Sequence, residues 1–242
     1  MPSHATVNQP ITSPKHATQD PMLKKTCQLI AFAYILLGTC PTAVVAASPK
    51  NIVLILADDL GWADTELYGK TSLYETPNIQ RLAARGMTFS NAYASPICSP
   101  TRASIMTGQN PARHGMTAPA AHLEAERFEA VAGESGPPHQ KSTNVKSSTR
   151  LAPATPMLGQ VLNDAGYSTG HFGKWHLGRE PHSPLERGFD VDVPHWWGPG
   201  PKASYLAPWG YENANFDEGE PGDHIEDRMA EEAVAWLSLD IL

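Results

Sequence analysis

Residues 51–57 read NIVLILA, a near-continuous aliphatic run of the kind found in a strand buried on both faces of a parallel sheet. Two carboxylates, Asp58 and Asp59, stand at its carboxyl end. Further on, Thr76-Pro77 supplies an N-cap followed by proline at the first helical position. Ile79, Leu82 and Ala83 form one apolar face, and Gly86 closes the helix. Residues 87–94 (MTFSNAYA) alternate like a second strand. Pro100 can open another helix, with Ala103, Ile105 and Met106 inside it and Gly108 just past its end.

Periodicity disappears over residues 117–150, which collect Pro, Gly, Ser, Lys and Glu and predict a long exposed loop or insertion. It resumes after Thr155-Pro156, where Leu158, Val161, Leu162 and Ala165 recur at helical spacing before Gly166. Residues 167–176 are the next strand candidate, and residues 180–222, rich in Pro, Gly, Trp and acids, predict a loop-dominated, substrate-side segment. A last helix is expected from Asp223, with Glu226 three residues on in a capping-box pattern. Its apolar stripe is Ile225, Met229, Ala233, Trp236 and Leu237. Strand and helix alternating in this order predict an α/β fold with a mostly parallel central sheet flanked by helices, whose sites lie at the carboxyl ends of the strands.

The first part of the 242-residue chain stands apart from this pattern. Met22-Leu23-Lys24-Lys25 opens a basic segment, residues 29–37 (LIAFAYILL) form a short apolar run, and Val44-Val45-Ala46-Ala47 offers small residues suited to cleavage. The division expected is therefore a miscalled extension over residues 1–21, a signal peptide over 22–47, and the mature portion over 48–242. The apolar run is too short for a comfortable membrane span, so an exported protein, periplasmic or secreted, with no stable membrane span is predicted. A lipoprotein reading at Leu37-Gly38-Thr39-Cys40 is weaker because Thr39 is a poor residue before a lipidated cysteine. From Ser48 onward 15 Lys and Arg face 24 Asp and Glu, which argues against nucleic acid as a partner.

Removing the signal takes Cys27 and Cys40 and leaves Cys98 alone, in an exported chain where thiols ordinarily pair. A small buried hydrophobe is the bland reading. The other candidates each carry a bland reading too. Asp58 and Asp59 repel unless a cation or strong donors neutralise them, which suits calcium, although such pairs also serve as turn or helix caps. Lys174 and His176 are two apart on the predicted strand and so share a face, suited to an anion or simply a surface pair. Cys98 and Arg102 straddle a helix start, where free N–H groups attract anions. A cysteine phosphatase loop would place its arginine six residues after the cysteine, at a position held here by Ser104.

Cys98-Ser99-Pro100-Thr101-Arg102 resembles the Cys-x-Pro-x-Arg motif of the type I sulfatases, members of the alkaline phosphatase superfamily. TPNIQRLAARGMTFSNAYASPICSPTRASIMTGQNPARHG and GYSTGHFGKWHLG resemble the family's two motif regions, as does NIVLILADDLGW. The resemblance runs from about residue 49 to 237. It implies that Cys98 is oxidised to formylglycine by a formylglycine-generating enzyme, which would explain the unpaired cysteine. The hydrated aldehyde, a geminal diol, would attack the sulfur of a sulfate ester through one hydroxyl and expel sulfate through the other.

Residue by residue, the resemblance makes Asp58, Asp59 and residue 98 calcium ligands, Lys174 the sulfate-binding lysine, and Arg102 and His176 partners that orient the formylglycine. His195 falls at the substrate mouth and is expected to bind substrate. Trp196-Trp197 could stack on a sugar or pack under a loop. His114 is expected to shape the segment after the catalytic helix, and His171, of opposite strand parity to Lys174, is given no role. The implied substrate is a sulfated small molecule or carbohydrate. Some formylglycine-dependent phosphonate monoester and phosphodiester hydrolases share the motif, and a non-catalytic remnant is the third possibility. The family's remaining calcium ligands, a further histidine and a second lysine follow the helix that ends here as WLSLDIL, so the chain is expected to be a truncated, amino-terminal portion.

Overall fold

The computed structural model describes Met22 and residues 50–134, 136–211 and 216–239. The expected extension and signal segment, Met22 apart, lie outside the described residues. The chain divides into two compact units, 1–54 and 55–242. In the first, residues 50–54 are exposed and belong to no strand. In the second, Ile55 is 80% exposed and also unpaired in any strand, so the buried strand expected over 51–57 does not form among the described residues. Residues 87–94 are likewise exposed and unpaired. Strand propensity is a fit to neighbours, and without a partner strand an apolar run has nothing to hold its pleat.

The described residues form two small sheets. Strand β1 (Val131–Ala132) pairs antiparallel with β2 (Val145–Lys146), inside the segment expected to be loop. Strand β3 (Gly170–Phe172) pairs parallel with β4 (Val191–Val193), with His171 opposite Asp192. The helices are α1 (Pro77–Ala83), α2 (Cys98–Thr107), α3 (Pro111–His114), α4 (Leu158–Asp164) and α5 (Ile225–Leu239). Thr76 sits at the N-cap of α1, but its hydroxyl accepts the Glu66 amide at 3.0 Å rather than capping the helix. Asp223 accepts the Glu220 amide at 2.8 Å, so no Asp223 cap opens α5. The stripe expected on α5 does face inward: Ile225 and Met229 are buried, and Ala233, Trp236 and Leu237 are half-buried.

Two apolar clusters organise the second unit. The first joins Ala103 of α2 to Met116, Ala121, Leu151, Met157, Trp175 and Leu177. The second joins Ile225 and Met229 of α5 to Ala207, Trp209 and Phe216. Helix α5 lies on β3, where Trp236 meets Phe172 at a ring separation of 5.8 Å. Buried arginines complete the frame. Arg187 donates to the carbonyls of Leu151, Ala152 and Pro153, and Arg150 to those of Ala121, Leu123 and Thr149. Each is at most 4% exposed, and burial lowers the pKa of both guanidinium groups.

Candidate active site

Helix α2 begins at Cys98, two residues earlier than Pro100 would suggest, so the half-buried thiol occupies the first helical turn. Its neighbours Ser99, Pro100, Thr101, Arg102 and Ala103 are all buried, which makes this turn a wall of the core. Gly108, in the left-handed region at φ 67°, ends the helix by donating to Ser104. The helix is braced from the far side by His114. Its Nδ1 accepts the Met116 amide at 3.1 Å, so its Nε2–H is the donor toward Ser104 Oγ, also at 3.1 Å.

Arg102 is one turn into α2 and reaches two partners from it. One guanidinium nitrogen donates to the Lys174 carbonyl, and the other to Asp58 Oδ1 at 3.1 Å. The second oxygen of the same carboxylate, Oδ2, takes the Lys174 ammonium at 2.5 Å. One carboxylate therefore lies between two cations, leaving an excess of one positive charge. Desolvation alone would raise the Asp58 pKa. The hydrogen bonds from Lys174 and Arg102, and their charges, outweigh it and hold the carboxyl below its ordinary value.

Lys174 and His176 reach the site by a different route from the expected one. Strand β3 ends at Phe172, and the backbone then turns through positive φ at Gly173, His176 and Gly178. Residues 173–178 are thus an irregular turn, and no strand parity relates the two side chains. Gly178 is needed there: at φ +130° a Cβ would meet the Arg150 side chain at 2.8 Å and His182 Cβ at 2.9 Å. The turn seats the His176 carbonyl on α2, where it accepts the Ser99 hydroxyl at 2.9 Å.

His176 is fully buried, and its ring Nε2 lies 3.2 Å from Nδ1 of His122. Its own Nδ1 is buried without a partner among the described residues. Burial, then the charge of Lys174, and further His122 and Arg102, push the imidazole pKa down to about 3, so it is neutral at working pH. His122 escaped the sequence reading because it lies in the aperiodic segment 117–150; only a long-range contact identifies it.

The structure thus joins Asp58, Arg102 and Lys174 directly and ties His176 to the helix that begins at Cys98. Asp59 is exposed, at φ 54°, and has no hydrogen-bonding or ionic partner among the described residues. Among the described residues no group of three or more His, Cys, Asp or Glu converges in a way that could hold a metal. His195 is held elsewhere, with Nδ1 2.8 Å from Asp192 and Nε2 2.8 Å from Glu180. Burial lowers its pKa, but Asp192 and the neighbouring carboxylates raise it further, for a net rise. Asp192 also holds His171, at 2.6 Å, which gives that residue a structural partner. The Trp196 and Trp197 rings lie 5.1 Å apart, with Arg179 over Trp197. No helix among the described residues is long and apolar enough to cross a membrane.

The family model for sulfatases matches residues 50–241. N-acetylgalactosamine-6-sulfatase of Rattus norvegicus is 40% identical over 158 residues, 64% of this chain and 26% of that protein. Human steryl-sulfatase is 40% identical over 153 residues, 60% of this chain and 23% of that protein. The crystal structure of Ps i-CgsB superposes with a TM-score of 0.55 at 28% identity, covering 77% of this chain and 41% of that one. The same protein in complex with k-i-k-neocarrahexaose gives 0.54 at 27% identity, with 76% and 40% covered. The chain spans about a quarter of the length of the curated relatives it matches. The solved neighbours agree with a mixed α/β fold of alkaline phosphatase type. With a family match over residues 50–241, the chain belongs to the sulfatase family.

Proposed function

We propose that the protein to which this chain belongs is a sulfuric ester hydrolase whose nucleophile derives from Cys98. The observation that carries the reading is the Asp58, Arg102 and Lys174 cluster, with its one excess positive charge, packed against the helix that opens at Cys98. Oxidised to formylglycine by a formylglycine-generating enzyme, residue 98 would supply a hydrated carbonyl as the attacking group. Lys174 and the first turn of α2 offer charge and N–H groups to a sulfate oxygen. Arg102 fixes both the Lys174 backbone and the Asp58 carboxylate, so the cation is held in place before substrate arrives. His176, neutral and tied to Ser99, presents one uncommitted ring nitrogen.

Asp58 and Asp59 have the donor chemistry of a calcium site: two hard carboxylates, one of them without any other partner among the described residues. They fit as part of a shell, since calcium takes about six to eight oxygens. An ion held by them, and by the modified residue 98, would polarise a sulfate oxygen and favour ionisation of an attacking hydroxyl. The substrate class we assign is a sulfated carbohydrate or small sulfated alcohol. It is supported by the names of the relatives, and by a structural neighbour bound to an oligosaccharide. His195, near the Trp196 and Trp197 pair, would sit at the mouth and contact the organic part of the ester. Export through the amino-terminal segment completes the reading.

The test is a peptide mass at residue 98 together with turnover, on protein matured in an exporting host that contains the modifying enzyme. Formylglycine at that position and faster hydrolysis of an aryl sulfate than of an aryl phosphodiester are expected. Replacing Lys174→Ala should lower kcat/KM by about a hundredfold, in line with removal of one preorganised oxyanion partner. An unmodified thiol throughout, or a preference for the diester, would overturn the assignment.

A further inference from the structure

His122 and His176 face each other through one nitrogen each, at 3.2 Å, with ring centroids 5.4 Å apart and planes tilted by 31°. Because His176 is neutral, it carries one N–H and one lone pair, and whichever ring donates across this contact decides what its other nitrogen becomes. If His122 donates, His176 Nδ1 is an N–H. If His176 donates from Nε2, its Nδ1 is a bare lone pair.

The surroundings decide between the two. Lys174 and Arg102 act on His176 through their charge, but neither donates to its ring, and Nδ1 is buried with no partner among the described residues. The contact joins Nε2 of His176 to Nδ1 of His122, so a donating His176 leaves the ring proton of each histidine on Nε2, the nitrogen that a free neutral imidazole side chain prefers to protonate. If His122 donates instead, the N–H at His176 Nδ1 is a buried donor with no acceptor among the described residues. A lone pair at Nδ1 leaves no buried N–H orphaned, which is the less costly state for a buried atom.

The position of His122 is itself held. Arg150, 2% exposed, donates to the carbonyls of Ala121 at 2.6 Å and Leu123 at 3.0 Å, the residues on either side of His122. The same arginine packs against Gly178 at the end of the turn that carries His176. One buried side chain therefore fixes both partners of the histidine pair.

We propose that His122 is a positioning residue that accepts the Nε2–H of His176 and so holds His176 in the tautomer whose Nδ1 is a proton acceptor. The inference deepens the assignment of His176 to a sulfate-ester site: it says that this nitrogen receives a hydrogen bond from a hydroxyl of the nucleophile or substrate and does not donate to the sulfate.

Two-bond nitrogen–proton correlation spectra of the full chain labelled with 15N-histidine read the tautomer directly. The expected result is an unprotonated-type Nδ1 and a protonated-type Nε2 for His176, assigned through a His176→Gln spectrum. In His122→Phe the pattern should become mixed. In His122→Asn, whose side-chain carbonyl can stand in for Nδ1 of His122, it should return. In the matured enzyme, His122→Phe should lower kcat by about tenfold with little change in KM, and His122→Asn should recover most of it. A protonated Nδ1 in the unsubstituted protein would overturn the proposal whether or not either variant folds. So would an unchanged tautomer in a folded His122→Phe. The spectra need neither formylglycine nor turnover, so a thiol at residue 98 or absent sulfatase activity would defeat the proposed function and leave the tautomer result standing.

Discussion

Replacing Arg150→Met keeps the length and much of the apolar volume of the side chain and removes its donors. The guanidinium makes three hydrogen bonds to carbonyls, at 2.6 Å to Ala121, 2.7 Å to Thr149 and 3.0 Å to Leu123, and it is 2% exposed. Thr149 is its sequence neighbour, so the two bonds that join separate segments are those to Ala121 and Leu123. A buried acceptor deprived of its donor costs about 1–3 kcal/mol, so the two carbonyls together amount to at most roughly 2–6 kcal/mol, with the part-buried Leu123 bond at the low end. Against this stands the relief of no longer burying a cation, whose nearest opposite charges, Glu124 and Glu126, are exposed. A net loss of about 3 kcal/mol is expected, or about 6–12 °C in Tm for a unit of this size. Urea denaturation followed by tryptophan fluorescence measures it, with Trp175 buried in the adjoining cluster as a reporter. Arg150→Lys should recover less than half, because a single ammonium cannot fork to two carbonyls on either side of one residue. A loss under about 1 kcal/mol for Arg150→Met, with an unchanged native fluorescence spectrum, would refute the idea that this arginine holds the Ala121 to Leu123 segment.

Three further outcomes follow from the same geometry. His176, with a pKa of about 3 when folded, should show no titration between pH 5 and 8 by NMR. Its depressed value stabilises the fold above the unfolded pKa of about 6.5 and that contribution fades as pH falls toward 3, so the pH dependence of stability in this window should flatten in His176→Gln. Gly159→Ala should cost about 1–3 kcal/mol, because the added Cβ would stand 2.8 Å from the Arg187 carbonyl and 2.8 Å from the Phe189 ring; an unchanged urea midpoint would contradict it. Millimolar calcium should raise the melting temperature by mass action, and Asp59→Asn should remove that shift; equal melting curves in calcium and chelator would count against Asp58 and Asp59 as ligands.

What the amino-acid pattern could and could not reveal follows from how far each feature depends on distant residues. The inward stripe of α5, the stop at Gly108 and the Cys98 to Arg102 motif are written within a few turns of helix, and the structure has each where the pattern puts it. Lys174 and His176 are paired in the sequence through strand parity, whereas three positive-φ residues show that the backbone there is a turn. The aliphatic run at 51–57 has strong strand chemistry and forms no strand among the described residues, since pairing is supplied by other segments and cannot be encoded locally.

His122 is the extreme case: nothing within the aperiodic stretch around it marks it. Its importance comes wholly from a contact with a residue 54 positions away. That contact depends on Arg150, which can hold the stretch only because Gly178 leaves room for its side chain. A residue acting through another therefore leaves no motif of its own. The chain of Gly178, Arg150, His122 and His176 becomes readable only where burial removes water and forces every ring nitrogen and guanidinium to find a protein partner or remain conspicuously without one.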